Sequence, residues 1–382
     1  MSDQATSSLV VRRAQLSDMP AVLAFVSRTY GAGASFKDAA RHHWQFDDNP
    51  FRPAAETDPT IWIALDGARV VGEIAVQDGM LWLEGAPVPA GWIVDVMVDP
   101  DYRGQGLIHR IHAAVAAERT VLVTLTMAPA TRRMAERAGC LTLGPTGQFI
   151  LPHCLSGQTV ARFLNYKAQT GSARRAALLR GFNASGLGPA LIASGLRAGA
   201  RLRGRRRILP ASDIQITEVT RFPDDMDALW ADTQQAYPAV FERSTRFLNW
   251  RFVDVPGLTY RRFLLKRDGK LAGYLITRLG VAEELQLGVI ADVFADPADT
   301  QALRALFAHA CDVLCPEAEY IEAAASTPAY RAVLREMGFF APRTMRPTVV
   351  CSDEALRAHL AQHLDDWHFT KADHDWDQIH PV

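Results

Sequence analysis

Hydrophobic and polar positions follow the same order twice along this chain of 382 residues. In each half, helical apolar spacing leads to two strands joined at an Asp-Gly turn, and then to a β-branched run that ends at Asp-Pro. The matching segments are 43–50 with 249–256, 62–72 with 264–273, 93–100 with 290–297, and 129–139 with 328–338. Four matches in one order, at similar spacing, indicate a tandem duplication.

Each half therefore predicts the order strand, helices, three strands, helix, strand, helix, strand. This is an α/β (mixed α+β) fold in which a mixed central sheet is flanked by helices. We predict an N-terminal domain over 1–155, a basic interdomain linker over 156–212, and a C-terminal domain over 213–382.

The segment between the two domains has an unusual charge pattern. No Asp or Glu occurs between Glu136 and Asp213, whereas Arg and Lys accumulate from 162 to 207. Its middle, 181–196, is uncharged, and its glycines and Pro189 argue against a long regular helix. Two interpretations stay open, a mobile linker and a basic, apolar segment that contacts an anionic membrane through 162–207. Nucleic-acid binding is disfavoured because few aromatic residues are interleaved.

Composition limits the class of protein. The hydrophobic content of 48% and charged content of 22% suit a globular protein, and the net charge of −1 argues against a nucleic-acid partner. The five cysteines form no CxxC pair, so we expect reduced thiols, no metal site and a cytoplasmic location. Met1–Ser8 lacks the apolar core of a signal peptide, and no apolar run reaches the roughly 18 residues of a membrane span.

The most informative stretch lies at 94–107. A β-branched strand ends at Asp99-Pro100, and two glycines, Gly104 and Gly106, then lead into an amphipathic helix. Backbone N–H groups at a helix N-terminus bind anions, and glycines let a phosphate approach closely. The stretch therefore predicts a phosphate-binding site.

Three phosphate-binding motifs compete here. The P-loop pattern G-x-x-x-x-G-K-[ST] is absent, and the dinucleotide pattern G-x-G-x-x-G fails because His109 stands at its third glycine. The third motif is that of acyl-coenzyme A. Through Arg103-Gly104-Gln105-Gly106-Leu107-Ile108, which follows a Val-x-Val-Asp-Pro-Asp-Tyr strand end, the chain resembles the GNAT superfamily of acyl-CoA-dependent N-acyltransferases.

This resemblance implies a tandem GNAT-like protein with acetyl-CoA, or another acyl-CoA, as co-substrate. Backbone amides of the loop would hold the pyrophosphate, the strand end would pair with the pantetheine arm, and the thioester would lie where two central strands splay apart. The implied cofactor-binding residues are Met97, Val98, Arg103, Gly104, Gln105, Gly106, Leu107 and Ile108. Ile108 departs from the family pattern, which usually has Gly or Ala there. The acceptor would be a primary amine of a small molecule or an amino sugar.

The second half lacks the glycine loop. After Asp296-Pro297 it has 298–303, with no glycine and with a carboxylate at Asp299, which would repel a pyrophosphate. We expect a degenerate copy that does not bind acyl-CoA.

Catalytic residues are harder to assign from the sequence. The tyrosine that serves many relatives as general acid would fall at Ala135 and Leu334, so it is absent from both halves. Asp95 on the central strand is the first candidate base, although its recurrence as Asp292 favours a structural role. Glu73 on the adjoining strand is the second candidate.

His43, with its neighbour His42, is the third candidate and would lie on the acceptor side. The aromatic, acidic segment 367–377 either folds back over a cleft or forms a solvated tail. The alternative to an enzyme is a non-catalytic acyl-CoA sensor or scaffold whose basic linker touches a membrane.

Overall fold

The chain forms two compact units, each assembled from separate stretches of sequence. The computed structural model describes residues 9–31, 37–125, 132, 135–136, 139–152, 155–169, 173–184, 187–203, 213–282 and 284–378. The first unit comprises Met1–Gly144, Pro238–Gly257 and Arg346–Trp367, and the second comprises Pro145–Tyr237, Leu258–Met345 and His368–Val382. The predicted domain boundaries, 1–155, 156–212 and 213–382, stay a prediction. Each compact unit contains stretches from more than one of these ranges.

The first unit has a mixed sheet flanked by helices. Its strands are β1 (Val10–Arg13), β2 (Ile61–Asp66), β3 (Arg69–Leu83), β4 (Ala86–Val98), β5 (Val121–Thr124), β6 (Leu141–Thr142), β9 (Ala239–Phe241) and β15 (Thr348–Cys351). Its helices are α1 (Met19–Tyr30), α2 (Ala39–His42), α3 (Leu107–Glu118), α8 (Thr245–Phe252) and α11 (Glu354–Leu360). The strand order is β1-β2-β3-β4-β5-β15-β6, and β9 pairs with β3.

The second unit repeats this architecture. Its strands are β7 (Thr146–Leu151), β8 (Ile214–Val219), β10 (Arg261–Arg267), β11 (Lys270–Ala282), β12 (Leu285–Ala295), β13 (Tyr320–Ala325) and β14 (Phe340–Met345). Its helices are α4 (Gly157–Gln169), α5 (Ala173–Ala184), α6 (Leu187–Arg203), α7 (Met226–Thr233), α9 (Thr300–Leu314) and α10 (Pro328–Glu336). The strand order is β8-β10-β11-β12-β13-β7-β14. A short strand β16 (Trp367–His368) lies where the chain passes between the units.

The two sheets match strand for strand, which agrees with the predicted duplication and fold class. In both, three antiparallel pairings precede one parallel pairing, β4 with β5 and β12 with β13, and two antiparallel pairings follow. Each sheet includes at least one strand from the other half of the chain, and β9 is one of those in the first sheet. The first half supplies β7 to the second sheet, and the second half supplies β15 to the first sheet. The sequence analysis did not predict this exchange.

A β-bulge occurs at the same place in both sheets. Between β3 and β4 the register runs from Ala75 opposite Asp95 to Val76 opposite Ile93, so Val94 is the extra residue. Between β11 and β12 the corresponding extra residue is Ala291, next to Asp292. A bulge inserts one residue and redirects the side chains beside it, and bulges are common next to functional sites.

Helices cover both faces of the first sheet. On one face, Phe25 and Val26 of α1 pack with Ala75 and Met97 in a buried core. On the opposite face, residues of α3 such as Ile111 form a second core with the sheet. The core thus fixes α1 and α3 against the central strands that carry the candidate site.

Repeated tryptophans form a reciprocal pair inside the first unit. Trp44 Nε1 donates to the carbonyl of Trp250 over 2.8 Å, and Trp250 Nε1 donates to the carbonyl of Trp44 over 2.9 Å. The two rings stack with centroids 4.8 Å apart. Both indole N–H groups are therefore satisfied although the rings are buried, and the repeated helix ends are joined by matching contacts.

The basic segment is helical in its described parts, so the expectation of no long regular helix over 181–196 is wrong. α6 runs through Pro189 and Gly195. Pro189 is the third residue of α6, where its missing N–H would have had no helical partner. Among the described residues, no helix is both long and apolar enough to cross a membrane.

Candidate functional site

The central strand β4 leads from the sheet toward an exposed second half. Among the described residues, β4 pairs with β5 at Gly91 and Trp92. On its other side β4 stays paired with β3 to the end. Val96, on the second half of β4, is 51% exposed. An extended ligand can add to an accessible strand through backbone hydrogen bonds.

The second half of β4 leads directly into the predicted glycine loop. Gly104 and Gly106 have φ of 78° and 71°, the left-handed region that glycine adopts without steric cost. A Cβ at either position would meet no atom within 4 Å. Gly106 caps α3 without any side-chain hydrogen bond, so the first backbone N–H groups of α3 remain available to an anion.

The predicted donor-site residues fall into two groups. Arg103, Gly104, Gln105 and Gly106 are exposed, and they lie at the loop as expected. The side chains of Met97 and Leu107 are buried in the two cores. Val98 and Ile108 are half-buried against the core on the α3 side. Met97, Val98, Leu107 and Ile108 could therefore contact a cofactor mainly through their backbone.

Asp95 is the centre of a polar cluster beside the bulge. Its side chain is buried, and its Oδ1 accepts a hydrogen bond of 2.7 Å from the Tyr30 hydroxyl at the end of α1. Its Oδ2 lies 2.7 Å from Lys37 Nζ, which is itself largely buried. One carboxylate thus holds a phenol and an ammonium group three residues beyond the last β4–β5 pair.

Glu73 belongs to the same cluster. It lies opposite Met97 in the β3–β4 register, two positions from the Ala75–Asp95 pair and on the same face of the sheet. Its side chain is buried, and within the described structure its Oε2 has no hydrogen-bond partner. Burial raises the pKa of Glu73 well above its usual value, the Asp95 carboxylate adds to this effect, and Lys37 opposes it. Burial therefore favours the protonated form of Glu73, which can donate a hydrogen bond.

The structure separates the two neighbouring histidines. His43 is 65% exposed and lies beside Asp47 and Asp48 on the surface, away from the Asp95 cluster. The ring of His42 packs against that of Phe46 in a tilted arrangement, and its buried Nε2 has no hydrogen-bond partner among the described residues. Burial lowers the pKa of His42 to about 4, with Asp47 and Asp95 opposing the shift. His42, rather than His43, is thus the neutral imidazole that senses the cluster.

The sequence analysis did not assign Tyr30, Lys37 or His42 to this cluster. Tyr30 ends α1 and Lys37 opens the next described stretch, so neither stands in a motif. Only a three-dimensional packing of α1 on β4 brings them to Asp95. His42 was considered beside His43, but the sequence offers no signal for which of two adjacent histidines faces inward.

The second unit closes the equivalent site. Asp292 is fully buried, and it accepts hydrogen bonds of 2.8 Å from the hydroxyls of Tyr274 and Thr370. Thr370 belongs to the C-terminal segment, so that segment folds back as one of the two sequence interpretations expected. Tyr274 occupies the repeat position of Glu73, next to the repeated glycines Gly72 and Gly273.

The strand edge and the helix start are also occupied in the second unit. The hydroxyl of Tyr330 accepts from the N–H of Ala295 and donates to its carbonyl, and Tyr237 donates to the same carbonyl. At the start of α9, Asp299 accepts from the N–H of Ala302 and pairs with Arg267. A pantetheine chain and a pyrophosphate would meet groups that are already hydrogen-bonded. This geometry supports the prediction of a degenerate second copy.

Comparison with known proteins identifies a family for the first half. Residues 10–140 match the family model of the acetyltransferase (GNAT) domain. No curated protein sequence matches this chain significantly.

Solved structures share the fold over nearly the whole chain. A GCN5-related N-acetyltransferase from Anabaena variabilis has 13% identity and a TM-score of 0.59, covering 92% of this chain and 74% of its own. Another from Kribbella flavida has 15% identity and a TM-score of 0.57, covering 94% and 74%. The N-myristoyltransferase of Saccharomyces cerevisiae, solved with bound myristoyl-CoA, has 11% identity and a TM-score of 0.54, covering 91% and 85%. At these identities the likeness shows the fold.

The buried His42 predicts a pH dependence of stability. Its folded pKa of about 4 lies below the ordinary value of 6.5, so the folded chain binds fewer protons than the unfolded chain between these values. Stability should therefore rise with pH from 4 to 6.5 and fall on acidification, by up to about 3 kcal/mol from this group. Denaturant unfolding of the full chain at pH 4.5 to 7 should show a smaller slope for His42→Gln. A wild-type slope in His42→Gln would contradict the assignment.

Proposed function

Because residues 10–140 belong to the GNAT superfamily of acetyltransferases, we propose that this protein is an N-acyltransferase. It moves an acyl group from acyl-CoA, with acetyl-CoA as the first donor to test, to a primary amine of a small molecule such as an amino sugar. The observation that carries the proposal is the continuity of three features in the first unit. The second half of β4 with its exposed Val96, the Asp95 cluster and the glycine loop at the start of α3 follow one another within 95–107.

The donor would bind at the loop and along β4. The pyrophosphate would accept hydrogen bonds from the backbone N–H groups around Gly104 and Gly106, and Arg103 would add a positive charge. The pantetheine arm would pair with the backbone of β4 near Met97 and Val98. The thioester would then lie beside the cluster.

The cluster contains the groups that acyl transfer needs. Attack of an amine on a thioester produces a tetrahedral oxyanion, and its collapse requires an acid for the leaving thiolate. Both carboxylate oxygens of Asp95 are engaged, one by the Tyr30 hydroxyl and one by Lys37, so we assign Asp95 the role of holding these two residues in position. The Tyr30 hydroxyl is the candidate acid in place of the tyrosine absent at Ala135. Protonated Glu73 is a second hydrogen-bond donor.

Donor binding can be tested by introducing a negative charge at Gly106. Gly106→Asp and Gly106→Asn have almost the same shape, and both residues tolerate left-handed backbone. The Asp variant should weaken acetyl-CoA binding by at least about tenfold more than the Asn variant, because a carboxylate repels the pyrophosphate. Isothermal titration of both variants measures the difference.

The control for backbone strain is Gly67→Asp, which has a φ of 60° and equally open surroundings at the β2–β3 turn. It should bind acetyl-CoA like the wild type. Equal binding by the Asp and Asn variants of Gly106, or no binding by the wild type, would reject the loop as donor site.

Catalysis can be tested separately from binding. Asp95→Asn should lower the rate of thiol release from acetyl-CoA, in the presence of an accepted amine, by about 100-fold with donor affinity retained. Asp18→Asn, which disrupts a surface pair with Arg12 in the same unit, is the control and should keep full turnover. If the wild type binds acetyl-CoA but releases thiol with no member of a primary-amine panel, the alternative of a non-catalytic acyl-CoA sensor is supported instead.

A specific surface also favours the membrane contact considered above. Five large apolar side chains on α5 and α6 are exposed to solvent: Leu178 75%, Phe182 44%, Leu187 73%, Leu191 71% and Ile192 37%. A Cβ on Gly188 would lie 2.6 Å from the Phe182 ring, so the two helices adjoin and the apolar patch is continuous. This patch belongs to the segment without any acidic residue, which makes an anionic lipid surface the fitting partner.

Membrane binding should depend on both the patch and the charge. The double variant Leu187→Ser/Leu191→Ser should lose most sedimentation with phosphatidylglycerol–phosphatidylcholine vesicles at low salt. Leu16→Ser, which changes an exposed leucine of the first unit, should not. Replacing Arg205, Arg206 and Arg207, outside the described residues, by Gln should also reduce binding. Binding to pure phosphatidylcholine that equals binding to the anionic vesicles would contradict the role of charge.

A further inference from the structure

Three metal-binding side chains converge in the first unit, away from the Asp95 cluster in sequence. Glu84 lies at the β3–β4 turn, His359 is on α11, and His363 follows that helix. Oε2 of Glu84 lies 3.0 Å from Nε2 of His359, and Oε1 lies 3.3 Å from Nε2 of His363. One ligand atom from each of the three residues lies within 4.8 Å of the others.

These close distances are not hydrogen bonds. Nε2 of His359 is buried and has no hydrogen-bond partner within the described structure, although a carboxylate oxygen of Glu84 lies beside it. A buried imidazole nitrogen without a partner is costly unless another group satisfies it. Nε2 of His359 and Oε2 of Glu84 are thus close without forming a hydrogen bond, as two ligand atoms of one metal ion would be.

The distances have the size expected for ligands of one metal ion. Zn²⁺ binds imidazole nitrogen and carboxylate oxygen at roughly 2.0–2.2 Å, so ligand atoms of a tetrahedral site lie roughly 3.3 Å apart. Nε2 of His359 lies 3.0 Å from one carboxylate oxygen of Glu84, and Nε2 of His363 lies 3.3 Å from the other. Three protein ligands leave one position for a water molecule.

An outer carboxylate supports one of the ligands. Nδ1 of His363 lies 3.5 Å from Oδ2 of Asp366, three residues further along the chain. Ligating histidines commonly donate their second ring N–H to a carboxylate, which fixes the ring and the tautomer that exposes Nε2 to the metal.

We propose that Glu84, His359 and His363 bind a divalent transition metal, with Zn²⁺ as the natural candidate. Two imidazole ligands favour Zn²⁺ over Mg²⁺ or Ca²⁺, which prefer oxygen. This proposal departs from the sequence expectation of no metal site. The ligands form no sequence motif because Glu84 lies 275 or more positions before the two histidines. The ion would join the β3–β4 turn to the segment that follows β15.

The test measures metal binding by the full chain after chelator treatment and dialysis. We expect one Zn²⁺ per chain by elemental analysis and a rise in the melting temperature on adding ZnCl₂. Co²⁺ should give the visible absorption of a four-coordinate site without a thiolate charge-transfer band. Binding should weaken on acidification, because protons compete with the metal for its ligands.

Variants distinguish this site from adventitious binding. His359→Asn and His363→Asn should each abolish the stoichiometric binding, and Asp366→Asn should weaken it by about 10- to 100-fold. His109→Asn, which removes an exposed histidine elsewhere in the first unit, should leave it unchanged. Because circular dichroism can verify that each variant is folded, retained binding in both ligand variants would overturn the proposal. So would a Co²⁺ thiolate band or the absence of binding by the wild type.

Discussion

The β-bulge at Val94, where β4 pairs with β3, is the constraint on which the site of the first unit depends. β4 stays paired with β3 on both sides of the bulge, so the strand remains in the sheet while the extra residue redirects the side chains beside it. The carboxylate of Asp95 lies directly next to the bulge and meets Tyr30 and Lys37 there. Val96, the next residue of β4, is 51% exposed, so this part of the strand is accessible to a ligand.

The second unit shows what happens when the same constraint is met without a ligand. β12 separates from its parallel neighbour, β13, after Val289 and carries a bulge at Ala291. There the backbone of Ala295 is satisfied by the hydroxyls of Tyr237 and Tyr330. These two tyrosines occupy the edge of β12, so the second unit keeps the geometry of the sheet but leaves no room there for a ligand. Duplication therefore preserves the strand order more strictly than the site.

Much of this fold could be predicted from the sequence because it is local. Asp-Gly turns, β-branched runs and helical spacing are set by neighbouring residues, and the repeats strengthen each of them. The exchange of β7 and β15 could not be predicted, since a strand pattern does not specify which sheet it joins. The loop glycines were identifiable because a motif demands them. Tyr30 and Lys37 were not, because only the packing of α1 on the sheet brings them to Asp95.

One repeat position explains much of the chemical difference between the two units. In the second unit Tyr274 stands at that position, and its hydroxyl donates a hydrogen bond to Asp292 in a buried pair. In the first unit the position is Glu73, a second acid, which cannot satisfy Asp95 while both are ionised. Burial raises the pKa of Glu73 and favours its protonated form, and Asp95 draws its partners from α1 and the following segment instead. The first unit thereby acquires an acid, a phenol and an ammonium group around one carboxylate, whereas the second acquires a closed core.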